Sequence, residues 1–170
     1  STFIVKLASK IGKKELSMIG CFISAASFIL LFIIHTHNVL VWVGLIIVAT
    51  IGTSMFNMVI WAMITDVIDE SEVQTGVRQD GTIYSVYSFA RKLGQACSSG
   101  LSGVLLSIIG YTSVTAFDPK VVDGIYNITC LVPAGGMILL LLALWFLYPL
   151  NKKRVEENAE KLRIKRNENA

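Results

Sequence analysis

Little in this sequence can form a covalent intermediate or hold a metal. Its 170 residues include 3 cysteines, 3 prolines and 2 histidines. Cys21, Cys97 and Cys130 each fall inside an apolar segment, with no CxxC partner and no histidine at ligand spacing. That pattern supports neither a disulfide framework nor a zinc site, and the three read as small apolar packing residues. The GxxxxGK[ST] order of a phosphate-binding loop is missing, as are HExxH and GxSxG. Charge is scarce too: 16% of residues are charged, against about 25% in ordinary soluble domains. A net charge of +3 is too small to argue for nucleic acid, so the placement of charge carries more than its sum. No cofactor is implied.

What the chain has instead is apolar length. Hydrophobic residues make up 54% of it, and a helix needs about 20 of them in a run to cross the hydrocarbon core of a bilayer. Four transmembrane helices are expected, at about 16–34, 40–64, 83–109 and 128–148. Together they form an all-α membrane unit over 16–150. Thr2 to Leu7 reads as the cut end of a further helix, so residues 1–15 hold that end and a loop. The first residue is not Met and no cleavage site follows the first apolar stretch; the start does not read as a signal peptide, and the chain is expected to start within a larger protein. Lys and Arg concentrate on the cytoplasmic side of membrane proteins. Lys6, Lys10, Lys13 and Lys14 precede the first span, and Lys152, Lys153, Arg154, Lys161, Arg163, Lys165 and Arg166 follow the last. The turn at 35–38 has neither residue type, and the loop at 111–127 has only Lys120. Both termini and the acidic loop at 65–81 are therefore expected inside, in a multi-pass protein of the cell (inner) membrane. The tail at 151–170 reads as a short charged cytoplasmic helix, its charges solvated, with contact to anionic lipid as the other reading. The sequon Asn127-Ile128-Thr129 sits where a helix enters the bilayer and reads as incidental.

The third span holds Arg91 and Lys92 but no carboxylate, and none of the four spans contains Asp or Glu. Lys92 lies eleven residues past Gly81, about 16 Å along a helix, close to the middle of a core about 30 Å thick. A cation there costs at least ~2.5 kcal/mol and normally faces a bundle interior or a water-filled cavity. A lysine that snorkels, or sits in a fixed ion pair, is the plainer reading. Ser88 and Gln95 stand at i−4 and i+3 from Lys92, and Tyr84 continues the stripe. Arg91 points about 100° away. Small residues at four-residue spacing, such as Gly94 with Ser98 and Ser99 with Gly103, permit close helix contact. On the second span Thr50, Ser54, Asn57 and Trp61 share one face. Asn57 can hydrogen-bond a hydroxyl-rich ligand and Trp61 can stack on a sugar or anchor the interface. In the acidic loop, Asp66, Asp69 and Arg78 read either as a solvated turn or as latch residues of a gate.

The stretch Trp61-Ala62-Met63-Ile64-Thr65-Asp66-Val67-Ile68-Asp69, with Thr75-Gly76-Val77-Arg78, Gly81, Tyr84-Ser85 and Phe89-Ala90-Arg91-Lys92-Leu93-Gly94-Gln95, resembles the glycoside–pentoside–hexuronide:cation symporters. These are relatives of the melibiose carrier in the major facilitator superfamily. Gly12-Lys13-Lys14 before a span is similar too. The resemblance implies a twelve-helix bundle of which this chain holds the end of helix 8 and helices 9 to 12. It implies a sugar or glycoside carrier driven by Na⁺ or H⁺ through alternating access, with the cation site mainly in an N-terminal half absent from this chain. The partners implied are the bilayer, the sugar and that half. By resemblance Lys92 is the cation-coupling lysine, and Tyr84 and Ser88 face the cavity. Asp66, Asp69 and Arg78 belong to the cytoplasmic gate. Asn57 stands where melibiose carriers have a sugar-facing tryptophan, which argues against a melibiose-type substrate. The rival readings are a carrier of lipid-like or other amphiphilic substrates on the same fold, and a four-span structural or interaction protein. An intramembrane enzyme is the weakest, since Lys92 has no catalytic partner.

Overall fold

The computed structural model describes residues 8, 10–36 and 38–168. The expected helix end over Thr2–Leu7 lies outside them. Among the described residues five helices follow one another: α1 (Lys13–Ile34), α2 (Val39–Thr75), α3 (Asp80–Ile108), α4 (Pro119–Phe146) and α5 (Lys152–Glu168).

The helix ends follow local chemistry. α1 stops at His35, which adopts a left-handed conformation at φ 44°. α2 starts one residue after Asn38, whose side chain accepts from the Leu40 amide at 3.0 Å, the usual way an N-cap satisfies an orphan donor. The sequence reading puts a loop over 65–81, but α2 runs on as helix to Thr75. Charged and polar residues end the apolar run there without breaking the helix. The break comes at Gly76, left-handed at φ 76°, where its N–H returns to the Glu72 carbonyl, as a glycine C-cap does. α2 has 37 residues, about 55 Å at 1.5 Å per residue. A bilayer core is about 30 Å thick, so the helix is far longer than its apolar part. The expected loop at 111–127 is likewise shortened. α4 begins at Pro119, which fits the first turn because its φ is preset and it lacks only an N–H that would be unbonded anyway.

α1 is the centre of the packing. Leu16 and Cys21 of α1 bury against Val59 and Met63 of α2 and Leu144 of α4. Gly20 and Gly52 let α1 and α2 meet backbone to backbone: a Cβ on Gly52 would lie 2.5 Å from the Gly20 carbonyl oxygen. One turn away the Ser24 and Thr53 hydroxyls are 3.1 Å apart. Tyr126 of α4 donates to the Leu31 carbonyl at 2.8 Å. α3 stands apart from this core and has no buried residue. Among the described residues nothing lies within 4 Å of a Cβ placed on Gly94, Gly100 or Gly103. The tight small-residue contact is between α1 and α2 instead.

α1, α2 and α4 are long and apolar enough to cross a membrane. α3, with 29 residues, has the length but is interrupted by polar and charged groups. The start of α1, the far end of α2 and the tail gather at one end of the molecule. Lys14 donates to the Tyr148 carbonyl at 2.6 Å, Lys152 to the Lys10 carbonyl at 3.1 Å, and Lys13 meets Asp66 at 2.6 Å.

Candidate functional site

Two polar regions stand out, a groove between α2 and α3 and an ionic cluster at the gathered end. The groove is lined by Phe56, Asn57, Ile60 and Trp61 of α2 and by Tyr87, Ala90 and Arg91 of α3, around a volume of about 340 Å³. The Trp61 ring meets Tyr87 edge-on with centroids 5.4 Å apart and lies 6.3 Å from the Tyr84 ring. Asn57 donates one N–H to the Thr53 carbonyl at 3.1 Å, which leaves its other N–H and its amide oxygen for a ligand.

Of the residues singled out from sequence, Asn57 and Trp61 line this groove and Tyr84 touches its aromatic edge. Ser88, Lys92 and Gln95 are exposed on α3 and are not among the groove's lining residues. Tyr87 and Arg91 replace them there. A signal for this pair was present in the spacing: Tyr84, Tyr87 and Arg91 fall at i, i+3 and i+7, a single helix face.

The ionic cluster divides into three parts. Asp66, 5% exposed, pairs with Lys13 at 2.6 Å and joins α2 to the start of α1. Burial pushes its carboxyl above the ordinary range, against the pull of Lys13, and its second oxygen has no hydrogen-bond partner among the described residues. Arg78 is held apart from this pair. It bonds Asp69, Glu72 and Asp80, each at 2.9 Å, and so staples the end of α2 to the start of α3 across Gly76. The third part is the tail. Arg154 and Asn158 of α5 bond Glu70, Arg166 reaches Glu72 at 3.5 Å, and Lys165 donates to the Gly76 carbonyl at 3.2 Å. The Arg154 guanidinium, with Asn158 and Gln74, holds the Glu70 carboxyl down at about 2. Asp66, Asp69 and Arg78 therefore do not form one group; Lys13, Glu70 and Glu72 are the partners that sequence reading left out.

Comparison with known proteins supplies the family. The family model described as MFS/sugar transport protein matches residues 1–152. A glucuronide carrier protein homolog of Escherichia coli (strain K12) is 34% identical over 151 residues, which is 89% of this chain and 33% of that protein. The uncharacterized symporter YjmB of Bacillus subtilis (strain 168) is 38% identical over 152 residues, with the same two shares of 89% and 33%. A Salmonella typhimurium protein named as a sulfoquinovose importer is 33% identical over 156 residues, again 89% of this chain and 33% of that protein. The chain thus spans about a third of the length of these relatives. Proteins of this kind are carriers and not enzymes. The chain belongs to the glycoside–cation symporters of the major facilitator superfamily.

Proposed function

We propose that this chain is the C-terminal part, helices 9 to 12, of a symporter that couples uptake of a sugar or glycoside to Na⁺ or H⁺ by alternating access. The observation that carries the reading is α3. It bears two adjacent cations at mid-length and buries no residue among the described residues, beside a groove with an amide, three aromatics and a guanidinium. A helix of that kind is costly against lipid but suits the wall of a cavity shared with another half, where carriers of this architecture bind substrate near the midplane. The relatives' names, glucuronide carrier homolog and sulfoquinovose importer, support a sugar as cargo.

In this reading α3 crosses as well, which makes four crossings. The gathered end, rich in Lys and Arg, is cytoplasmic, with both termini there and the protein in the inner membrane. Lys92 balances cation-site carboxylates of the other half and is released or reoriented when the cation binds. Asn57, Trp61, Tyr84, Ser88 and Gln95 belong to the sugar cavity. Asp66, Asp69 and Arg78 belong to a cytoplasmic gate, whose closing in the outward-open state pairs these charges across the seam. Replacing Lys92 with Leu in the full-length carrier is expected to abolish cation-driven sugar accumulation while the protein still reaches the membrane. Undiminished accumulation by that variant would remove Lys92 from the mechanism.

A further inference from the structure

The groove between α2 and α3 says more than that a sugar binds, because the cation in it is an arginine. Arg91 lies eleven residues past Asp80, about 16 Å along α3, which is mid-depth for a core about 30 Å thick. Arginine stays charged at any working pH, so it cannot escape the cost of that depth by losing a proton, as a lysine can. The cost at mid-depth is at least ~2.5 kcal/mol. Something has to offset it, yet among the described residues the Arg91 side chain has no ion pair or hydrogen bond. Its neighbours in the groove are uncharged: Phe56, Ile60, Ala90, the Trp61 and Tyr87 rings, and Asn57.

Resting on the symporter reading above, we propose that Arg91 is the receptor for an acidic group on the cargo, so that the carrier selects an anionic sugar, a carboxylate- or sulfonate-bearing glycoside, over a neutral one. The guanidinium presents a planar fork of donors that matches such a group with two parallel hydrogen bonds. Trp61 and Tyr87, edge-on at 5.4 Å, give apolar ring surface for the face of a pyranose. The Asn57 oxygen accepts from a ring hydroxyl. A volume of about 340 Å³ falls in the range of small-molecule sites and suits a single sugar ring. Lys92, about 100° round the helix and absent from the lining, is left for the coupling cation. The two neighbouring charges then have separate tasks, one for each solute.

The test compares two probes that differ only in the acid group, p-nitrophenyl glucuronide and p-nitrophenyl glucoside, as ligands of the full-length carrier in proteoliposomes. The unaltered carrier is expected to bind the glucuronide more tightly. Arg91→Gln should weaken glucuronide binding by about ten- to hundredfold and leave glucoside binding within about twofold. Arg91→Lys should fall between the two, since it keeps the charge but loses the fork. Equal losses for both probes in Arg91→Gln, or a glutamine variant that no longer folds while Arg91→Lys binds both probes as the unaltered carrier does, would make Arg91 a structural ion-pair partner and overturn the proposal. A carrier that binds the glucoside but shows no preference for the glucuronide overturns this proposal alone. One that binds neither probe nor any other sugar overturns the symporter reading with it.

Discussion

At the residue scale the sharpest contrast lies among the acids past the apolar part of α2. Asp66, Asp69, Glu70 and Glu72 stand within seven positions, yet each has a different partner set. Asp66 faces Lys13 and is nearly enclosed, so its removal leaves a half-buried ammonium without the carboxylate it pairs with. Asp66→Ala is expected to lower stability by about 1–3 kcal/mol, read as a drop in Tm of the detergent-solubilised carrier. Because burial favours the neutral acid at this site, Asp66→Asn should cost less than Asp66→Ala. The double variant with Lys13→Ala should cost less than the sum of the two single changes; strict additivity would mean that the contact contributes nothing. None of this was legible in the sequence. The positions showed an acidic stretch, but only the meeting of α1 and α2 decides which acid turns toward Lys13. Asn57 and Trp61 were legible because they share a helix face. Arg91 was visible as a charge, but its place beside Trp61 depends on how α3 leans on α2.

At the element scale α2 ended at Gly76 and α4 began at Pro119, while α1 ended at a left-handed His35. The apolar pattern located the helices well and their ends poorly, because a polar residue ends an apolar run without ending a helix. α2 shows the consequence: its polar extension becomes the platform on which α5 docks. The tail reads from sequence as a solvated charged helix, and most of it is. Yet Asn158 and Leu162 are buried, and Glu70 accepts from Arg154 and Asn158 together. Glu70→Ala should loosen this dock by about 1.5 kcal/mol, seen as roughly tenfold faster amide exchange in α5. Unchanged exchange in α5 would mean that the dock rests on other contacts. The same bond sets a pH dependence. The folded Glu70 carboxyl sits at about 2, below its ordinary 4.5. The folded state thus holds the deprotonated form, and the stabilisation is complete above about 4.5 and is lost as pH falls toward 2. Exchange in α5 should be insensitive to pH effects of this kind from neutrality down to about 5, once intrinsic rates are divided out, and should rise below that. A rise centred near neutral pH would point to a different titrating group.

At the scale of the whole molecule the packing is lopsided. α1, α2 and α4 share a core with Leu16 and Cys21 at its centre, while α3 touches α2 along one side and buries no residue among the described residues. In a chain that spans about a third of its relatives' length, the exposed helix is the one with two cations at mid-length, and that joins the fold to the proposed transport cycle. Family membership was legible from the block between Trp61 and Gln95, because a polar motif inside an apolar chain is informative where hydrophobic character is not. The account stands or falls on coupling. The most direct measurement is accumulation of a labelled glycoside, the glucuronide first, by proteoliposomes holding the full-length carrier, with and without an inward Na⁺ or H⁺ gradient. The account predicts uphill accumulation that one of the two gradients drives and that collapses when that gradient is dissipated. Uptake that only equilibrates, equally fast with and without either gradient, would contradict it.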